Sequence, residues 1–406
     1  MDSLGKGWWK RVKKMPADRN LRIAIIGHKR IPSNEGGIEK GVEQHAVRMA
    51  ALGHAVTVYN RGGKHIYGDQ YHSKPLKSYK NVKIVTIPTF RGAAEVPVYS
   101  FLATLHAVLS RADVISYRAS GSCNMVPLAR LFGIRTVASL HGIDSQRDKW
   151  HGFAVKYLEH GEKMAAQKAD VCLVLSENER SYIEQRYGRR PILFANGITR
   201  PEKAGAELIR EKYGLSEGGY VLSLGRGTPE KGLHYLIQAF RPIETEKKLV
   251  IAGGMDSPEY AEELRRLAAD DRRVIFTGFV QGREKDELYS NAYVYCMPSN
   301  LEGMANTLLE ALSFGNCCLL SDIPENAEPA GDHALYFRKG DADDLNRQLR
   351  FLLQNPDTAA QYRASAADYV CRRFDWDTVV EQMLDLYSGR KVADYMEYVD
   401  RSGLDT

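Results

Sequence analysis

The chain alternates short apolar runs with longer stretches of helical period. Residues 21–27, Leu-Arg-Ile-Ala-Ile-Ile-Gly, read as a strand. A glycine-containing loop follows at 33–37, then a helical pattern over about 38–52 closed by Gly53, then a second strand at 55–59. Strand, helix and strand in that order predict a parallel βαβ unit. Further strands are predicted at 82–87, 113–117, 135–140 and 171–176, with helical patterns between the later ones. The second half repeats the scheme. Strands at 220–225, 248–254, 274–277, 292–297 and 317–321 alternate with helices at 233–240 and about 260–269, 285–291 and 307–314. Two doubly wound, Rossmann-like α/β domains are the simplest account.

A length of 406 residues suits two domains. Asn196-Gly197 and Pro201 mark a linker-like join. The reading is a tail over 1–20, a first domain over 21–200, a second over 201–372, an amphipathic helix within 373–390, and a polar tail over 391–406. No apolar run is long enough to span a bilayer, and no apolar stretch follows the basic start, so neither a membrane span nor a secretory leader is expected. Cys123, Cys172, Cys296, Cys317, Cys318 and Cys371 form no C-x-x-C pair, which predicts reduced thiols and a cytoplasmic protein rather than a zinc or disulfide framework. The net charge of +5 hides an asymmetry: residues 1–200 hold 32 Lys/Arg against 16 Asp/Glu, while the remainder holds 24 against 35. A basic first half suits an acidic partner, unless the imbalance is only solvated surface.

Neither half carries G-x-G-x-x-G. Gly225-Arg226-Gly227 begins the pattern, but Glu230 stands at the third glycine position, which disfavours a nicotinamide or flavin enzyme. There is no Walker A sequence and no G-x-S-x-G elbow. The informative feature is a pair of carboxylates, Glu302 and Glu310, flanking the start of a helix that Gly315 closes. Backbone amides at Met304, Ala305 and Asn306, beside Gly303, would receive an anion there, and each carboxylate would accept hydroxyl hydrogens. That arrangement suits a sugar diphosphate; the plain alternative is two exposed glutamates. Other candidates also lie beyond the carboxyl ends of predicted strands, where ligands of open α/β sheets bind. Gly36 and Gly37 would admit a phosphate close to backbone, or simply make a turn. Arg226 and Lys231 would pair with a diphosphate, or be solvated. His141 would meet a sugar hydroxyl or the reacting oxygens, or be structural.

Several of these segments together resemble glycosyltransferase family 4. Glu302-Gly303 through Glu310-Ala311-Leu312-Ser313-Phe314-Gly315 is similar to its E-x7-E signature, and Gly225-Arg226 with Glu230-Lys231-Gly232 to its donor-binding loop. Ala195-Asn196-Gly197-Ile198 resembles the hinge, with Ala195 in place of proline. Gly27-His28-Lys29-Arg30-Ile31-Pro32, Glu35-Gly36-Gly37-Ile38-Glu39 and His141-Gly142-Ile143-Asp144 with Arg147-Asp148-Lys149-Trp150 resemble a subgroup containing bacterial polysaccharide rhamnosyltransferases. The resemblance spans about 21–388. It implies the GT-B fold: two Rossmann-like domains facing across a cleft, with the C-terminal helix crossing back to pack on the first. It further implies a retaining transferase that needs no metal or other cofactor. Glu310 would hold the nucleotide ribose and Glu302 the donor sugar. Arg226 and Lys231 would hold the diphosphate with Gly36, Gly37 and the amides at 304–306, and His141 would sit by the reacting centre. Front-face attack, with the leaving phosphate as base, would leave Glu302 without a covalent role.

Two departures bear on specificity. Met304-Ala305 replaces the family's aromatic-Gly pair, and Ser145 stands where the subgroup often has Trp. The donor preference by subgroup is dTDP-rhamnose, with UDP- and GDP-hexoses open. The acceptor would be a lipid-linked or oligosaccharide group in surface polysaccharide synthesis. The segment Lys6-Gly7-Trp8-Trp9-Lys10-Arg11-Val12-Lys13-Lys14-Met15 suits the inner face of an anionic membrane, or is a disordered tail. No nucleic-acid module is evident. A sugar-nucleotide epimerase and a catalytically silent scaffold on the same fold are the alternatives.

Overall fold

The computed structural model describes residues 20–33, 37–67, 75–146, 151–269, 271–395 and 397. The basic N-terminal segment, Gly36, residues 147–150 and the end of the polar tail lie outside the described residues. The chain forms two compact units, Met1–Gly197 with Trp376–Thr406, and Ile198–Asp375.

The first unit runs β1 (Arg22–Ile26), α1 (Gly37–Ala51), β2 (Ala55–Gly62), α2 (Lys64–Tyr67), β3 (Ser78–Tyr79), β4 (Val82–Pro88) and α3 (Glu95–Leu109). It continues through β5 (Val114–Arg118), α4 (Val126–Leu131), β6 (Arg135–Ser139), α5 (Phe153–Lys168), β7 (Val171–Val174), α6 (Glu177–Tyr187) and β8 (Ile192–Leu193). The sheet order is β3-β4-β2-β1-β5-β6-β7-β8, parallel except where β3 meets β4. The chain therefore grows outward from β1 in both directions, and its topological switch point lies between β1 and β5. The central strands are apolar because both faces are covered; Ala24, Ile26, Ile115, Tyr117, Ala138 and Val174 belong to one core.

Helix α3 departs from the usual pattern. It turns Tyr99, Ser100, Ala103, Thr104 and Ala107 inward, where Ser100 Oγ donates to Ser122 Oγ at 3.1 Å and Thr104 Oγ1 lies 3.1 Å from the Tyr117 hydroxyl. Its outer surface carries Val98, Phe101, Leu102 and Leu109, the last 75% exposed. With 3.6 residues per turn, these and the half-buried Leu105 form one stripe.

The second unit runs α7 (Glu207–Tyr213), β9 (Tyr220–Leu224), α8 (Leu233–Phe240), β10 (Lys248–Ala252), α9 (Pro258–Ala268), β11 (Val274–Gly278) and α10 (Gly282–Ser290). Then come β12 (Val294–Met297), α11 (Asn306–Ser313), β13 (Cys318–Ser321), α12 (Pro324–Ala330), β14 (Leu335–Phe337), α13 (Ala342–Gln354) and α14 (Pro356–Arg373). Its all-parallel sheet has the order β11-β10-β9-β12-β13-β14, with the switch point between β9 and β12.

The last helix, α15 (Trp376–Ser388), belongs to the first unit. The Trp376 ring meets His45 edge-on at 5.3 Å and lies under the Arg48 guanidinium at 5.5 Å. Gly197 makes room for it, since a Cβ there would fall 2.3 Å from the indole. Farther along, Arg135 Nε donates to the Leu386 carbonyl at 2.9 Å. All six cysteines are free, and five are buried. Among the described residues no helix is long and apolar enough to cross a membrane.

Candidate functional site

In the second unit the candidate residues collect on the two loops that leave the switch point. The loop after β9 carries Arg226, a single turn over Pro229–Lys231, and Gly232 at φ +65°. A Cβ on Gly232 would fall 2.1 Å from the Pro298 carbonyl oxygen, so glycine lets this loop lie against the one after β12. The two loops are tied by the Asn300 amide, which donates to the Glu230 carbonyl at 2.7 Å. From below, Ser321 Oγ donates to the Ser299 carbonyl at 2.6 Å, and the buried Asn326 amide holds Ser321 in turn.

This scaffold brings Lys231 and Glu302 together. Lys231 Nζ lies 2.5 and 2.6 Å from the two Glu302 oxygens, and Ser299 Oγ donates to one of them at 2.6 Å. The Glu302 side chain is 5% exposed and that of Lys231 24%. Glu310, on α11, faces a different cation: Lys285 Nζ of α10 lies 2.8 Å from its Oε1, with both side chains largely covered. One turn on from Lys285, the buried Tyr289 hydroxyl donates to the Thr307 carbonyl at 3.2 Å and its ring stacks on Phe314. Burial, and then the Glu310 charge, raise the Tyr289 phenol well above its ordinary range, so it stays a neutral donor. Arg226 stands apart, exposed and paired with Asp256 at 3.1 Å.

Helix α11 begins at Asn306, with Ala305 as an N-cap that has no side-chain oxygen to offer. Leu308 and Leu309 already donate to the Ala305 carbonyl, at 3.0 and 3.2 Å. The amides of the helix N-terminus therefore start at 306, and those of Met304 and Ala305 belong to the loop that leads in. Gly303 lies in the same lead-in. Gly315, at φ +71°, follows the helix in the left-handed conformation that favours glycine.

The first unit places the other candidates at the carboxyl ends of its own strands. His141 follows β6, and its Nε2 lies 3.3 Å from Ser139 Oγ. Gly37 opens α1, while Gly36 is outside the described residues. The loop after β1 is anchored by Glu39, whose carboxylate accepts from the Lys29 amide at 3.0 Å. Lys285 is the residue that motif reasoning missed. It sits on a polar helix with no motif of its own, and only the fold brings it to Glu310. Among the described residues no group of three or more His, Cys, Asp or Glu is arranged to hold a metal ion.

What this geometry offers is a short loop leading into a helix N-terminus and two carboxylates, each facing a lysine. A phosphate group would compete with Glu302 for Lys231, and hydroxyl groups would compete with Lys231 for Glu302, while Lys285 would hold Glu310 in position to accept them.

Known proteins share both halves. The family model described as Glycosyltransferase Family 4 matches residues 35–199, and that described as Glycosyl transferases group 1 matches residues 206–369. A GDP-mannose-dependent alpha-(1-6)-phosphatidylinositol monomannoside mannosyltransferase from Mycolicibacterium smegmatis is 26% identical, over 89% of this chain and 97% of its own. Among solved structures, sucrose-phosphate synthase from Thermosynechococcus elongatus superposes with a TM-score of 0.77 at 19% identity, over 91% of this chain and 99% of its own. The Anabaena protein HepE, solved with UDP and glucose, gives a TM-score of 0.73 at 16% identity, over 90% of this chain and 99% of its own. With two parallel-sheet Rossmann-like units, a family 4 domain in the first and a group 1 domain in the second, this chain belongs to the family 4-like glycosyltransferases of GT-B fold.

Proposed function

We propose that this protein moves a hexosyl or deoxyhexosyl group, with retention of configuration, from a nucleoside diphosphate sugar to a lipid-linked or glycan acceptor of a bacterial surface polysaccharide. The observation that carries this reading is the pairing of Lys231 with Glu302 and of Lys285 with Glu310 around the switch point of a group 1 domain. In the proposed complex Glu310 takes the ribose hydroxyls and Glu302 those of the sugar. Lys231, held by Glu302 in the free protein, turns to the diphosphate as the sugar takes its place. Arg226 and the amides at 304–306 add positive potential there. Within the first unit, Gly36 and Gly37 are proposed to admit a phosphate and His141 to meet a sugar hydroxyl. The bond from the sugar C1 to the diphosphate oxygen breaks, a bond from C1 to the acceptor oxygen forms on the same face, and the acceptor proton passes to the departing phosphate. Charge grows on the diphosphate as this happens, so preorganised cations and amides lower the barrier. The scheme uses no metal.

GDP-mannose is the first donor to try, because the relative matched along nearly its whole length is named for it. The dTDP-rhamnose favoured by the N-terminal motifs and the UDP-hexoses are the other arms. Incubating each donor with and without a membrane extract that supplies acceptor, and following the anomeric proton by NMR, tests the reading. Acceptor-dependent product with the donor's configuration is expected. Turnover without acceptor would instead indicate an epimerase.

The same proposal places the first unit on an anionic bilayer at the cytoplasmic face. Its support is the apolar stripe of α3, which faces outward while the helix buries its small and polar residues. The described stretch 75–112 around it carries Lys77, Lys80, Lys83, Arg91 and Arg111 against Glu95 alone. Apolar side chains ringed by basic ones suit the interface of an anionic membrane.

A further inference from the structure

The first unit buries a positive charge that the reading above does not use. Arg118 is the last residue of β5, beside the end of β1 and so at the switch point of this sheet. The packing is close: a Cβ on Gly27 would fall 1.9 Å from the Arg118 carbonyl oxygen. The residue is 1% exposed. Its Nη1 makes one long contact with Ser139 Oγ at 3.4 Å, and its Nε and Nη2 have no partner. A guanidinium cannot shed its proton, so burial cannot be relieved by neutralisation. A charge in that position calls for an anion.

Two buried histidines lie near enough to feel this charge: His28 follows Gly27, whose backbone abuts that of Arg118, and His45 sits on α1. His28, two residues beyond β1, has Nε2 3.1 Å from Asn60 Oδ1, and its Nδ1 has no partner. The Asn60 orientation is fixed, since Nδ2 donates to the Ile31 carbonyl and Oδ1 accepts from the Ile31 amide. His28 therefore carries its proton on Nε2 and leaves a lone pair on Nδ1. His45, on α1, has Nδ1 2.6 Å from the Gly41 carbonyl, so it carries its proton there and leaves a lone pair on the unpartnered Nε2. Burial, and also the charge of Arg118, disfavour protonation of both rings, so both stay neutral. The unsatisfied set is thus two donors from Arg118 and two acceptors from the histidines. A carboxylate offers acceptors only. A singly protonated phosphate offers oxygens to the guanidinium and a hydroxyl hydrogen to an imidazole.

We infer that Arg118, with His28 and His45, forms a phosphate-binding subsite of the first unit that takes a phosphate group of the acceptor. Through Ser139 the guanidinium is linked to His141, which is only partly buried and marks the solvent side of these contacts. The acceptor assignment rests on the transferase reading, but the phosphate site itself does not.

The test is a titration of the full chain with inorganic phosphate at constant ionic strength, followed by 31P line broadening and thermal shift. A saturating nucleoside diphosphate fills the donor site throughout, and acetate serves as the carboxylate control. Saturable phosphate binding that persists with the nucleotide present, exceeds that of acetate, and weakens at least tenfold in Arg118→Met is expected. Arg118→Lys, which keeps the charge, should retain part of it and guards against misfolding of the first variant. Competition by glycerol phosphate would place the group on a soluble acceptor, and competition only by phosphatidate vesicles would place it on a lipid; either supports the site. Equal phosphate binding in wild type and Arg118→Met, or loss of all phosphate binding on saturation with nucleotide, would overturn it. Failure of Glu310→Ala to weaken nucleotide binding would instead count against the transferase reading and leave this titration to stand by itself.

Discussion

Replacing Lys231 with methionine should cost more stability than replacing Glu302 with glutamine, although the two residues form one pair. Lys231→Met leaves a carboxylate that is 5% exposed with Ser299 as its remaining described hydrogen-bond donor. Breaking a buried pair costs about 3–5 kcal/mol and an exposed one about 0–1. The Glu302 side of this pair lies near the buried limit, so about 2–4 kcal/mol is expected for Lys231→Met. Glu302→Gln keeps an oxygen for Ser299 and leaves an ammonium that is 24% exposed and can turn to water, so about 0.5–1.5 kcal/mol is expected. The double variant leaves no stranded carboxylate and should recover about 1–3 kcal/mol relative to the sum of the singles. Tryptophan fluorescence cannot follow this, because Trp8, Trp9, Trp150 and Trp376 all belong to the first unit. Native-state hydrogen exchange of the β9 and β12 amides reports the second unit directly. Equal costs for the two single variants, or additivity within about 0.5 kcal/mol, would refute the reasoning.

Three further outcomes follow from the same geometry. His28 is held neutral by burial, with its pKa lowered to about 3. The unfolded chain therefore binds the extra proton below about pH 6.5, and the first unit should lose stability as pH falls from there toward 3, by about 1.4 kcal/mol per unit from this group. Tryptophan fluorescence during urea unfolding would show that slope, and His28→Asn should lessen it, the likewise buried His45 keeping its own share; an unchanged slope would refute the assignment. On α3, Phe101→Ser with Leu102→Ser should abolish flotation with anionic liposomes at physiological salt while leaving nucleotide binding intact; a mass increase to dimer in wild type that the same changes remove would point to a second copy instead. Lys285→Met should weaken nucleoside diphosphate binding about three- to thirtyfold by releasing Glu310 from its position, and calorimetry would read it.

The doubly wound halves were legible because parallel strands buried on both faces write themselves as apolar runs of a length helices do not share. β3, β8 and β14 were not, since two or three residues carry no period. Helix α13 went unread although Leu345, Leu349 and Leu352 line its buried face at helical spacing. The paired glutamates, Arg226 and Lys231 stood out by their places after strands. What sequence could not give was who pairs with whom. Lys231 turns to Glu302 across 71 residues, and Lys285 reaches Glu310 from a helix that precedes its own strand. Arg118 likewise reads as one more strand residue until its burial and missing partner are seen together.

The central claim is that the loops around Glu302 and Glu310 bind a nucleoside diphosphate sugar. Isothermal titration of GDP-mannose, dTDP-rhamnose and UDP-glucose into wild type and Glu310→Ala tests it most directly. Charge-assisted hydrogen bonds to a ribose are worth about 1.5–3 kcal/mol, so the best donor should bind the variant roughly ten- to 150-fold more weakly. Donor binding unchanged by Glu310→Ala, or no binding of any of the three donors to the wild-type protein, would contradict the account.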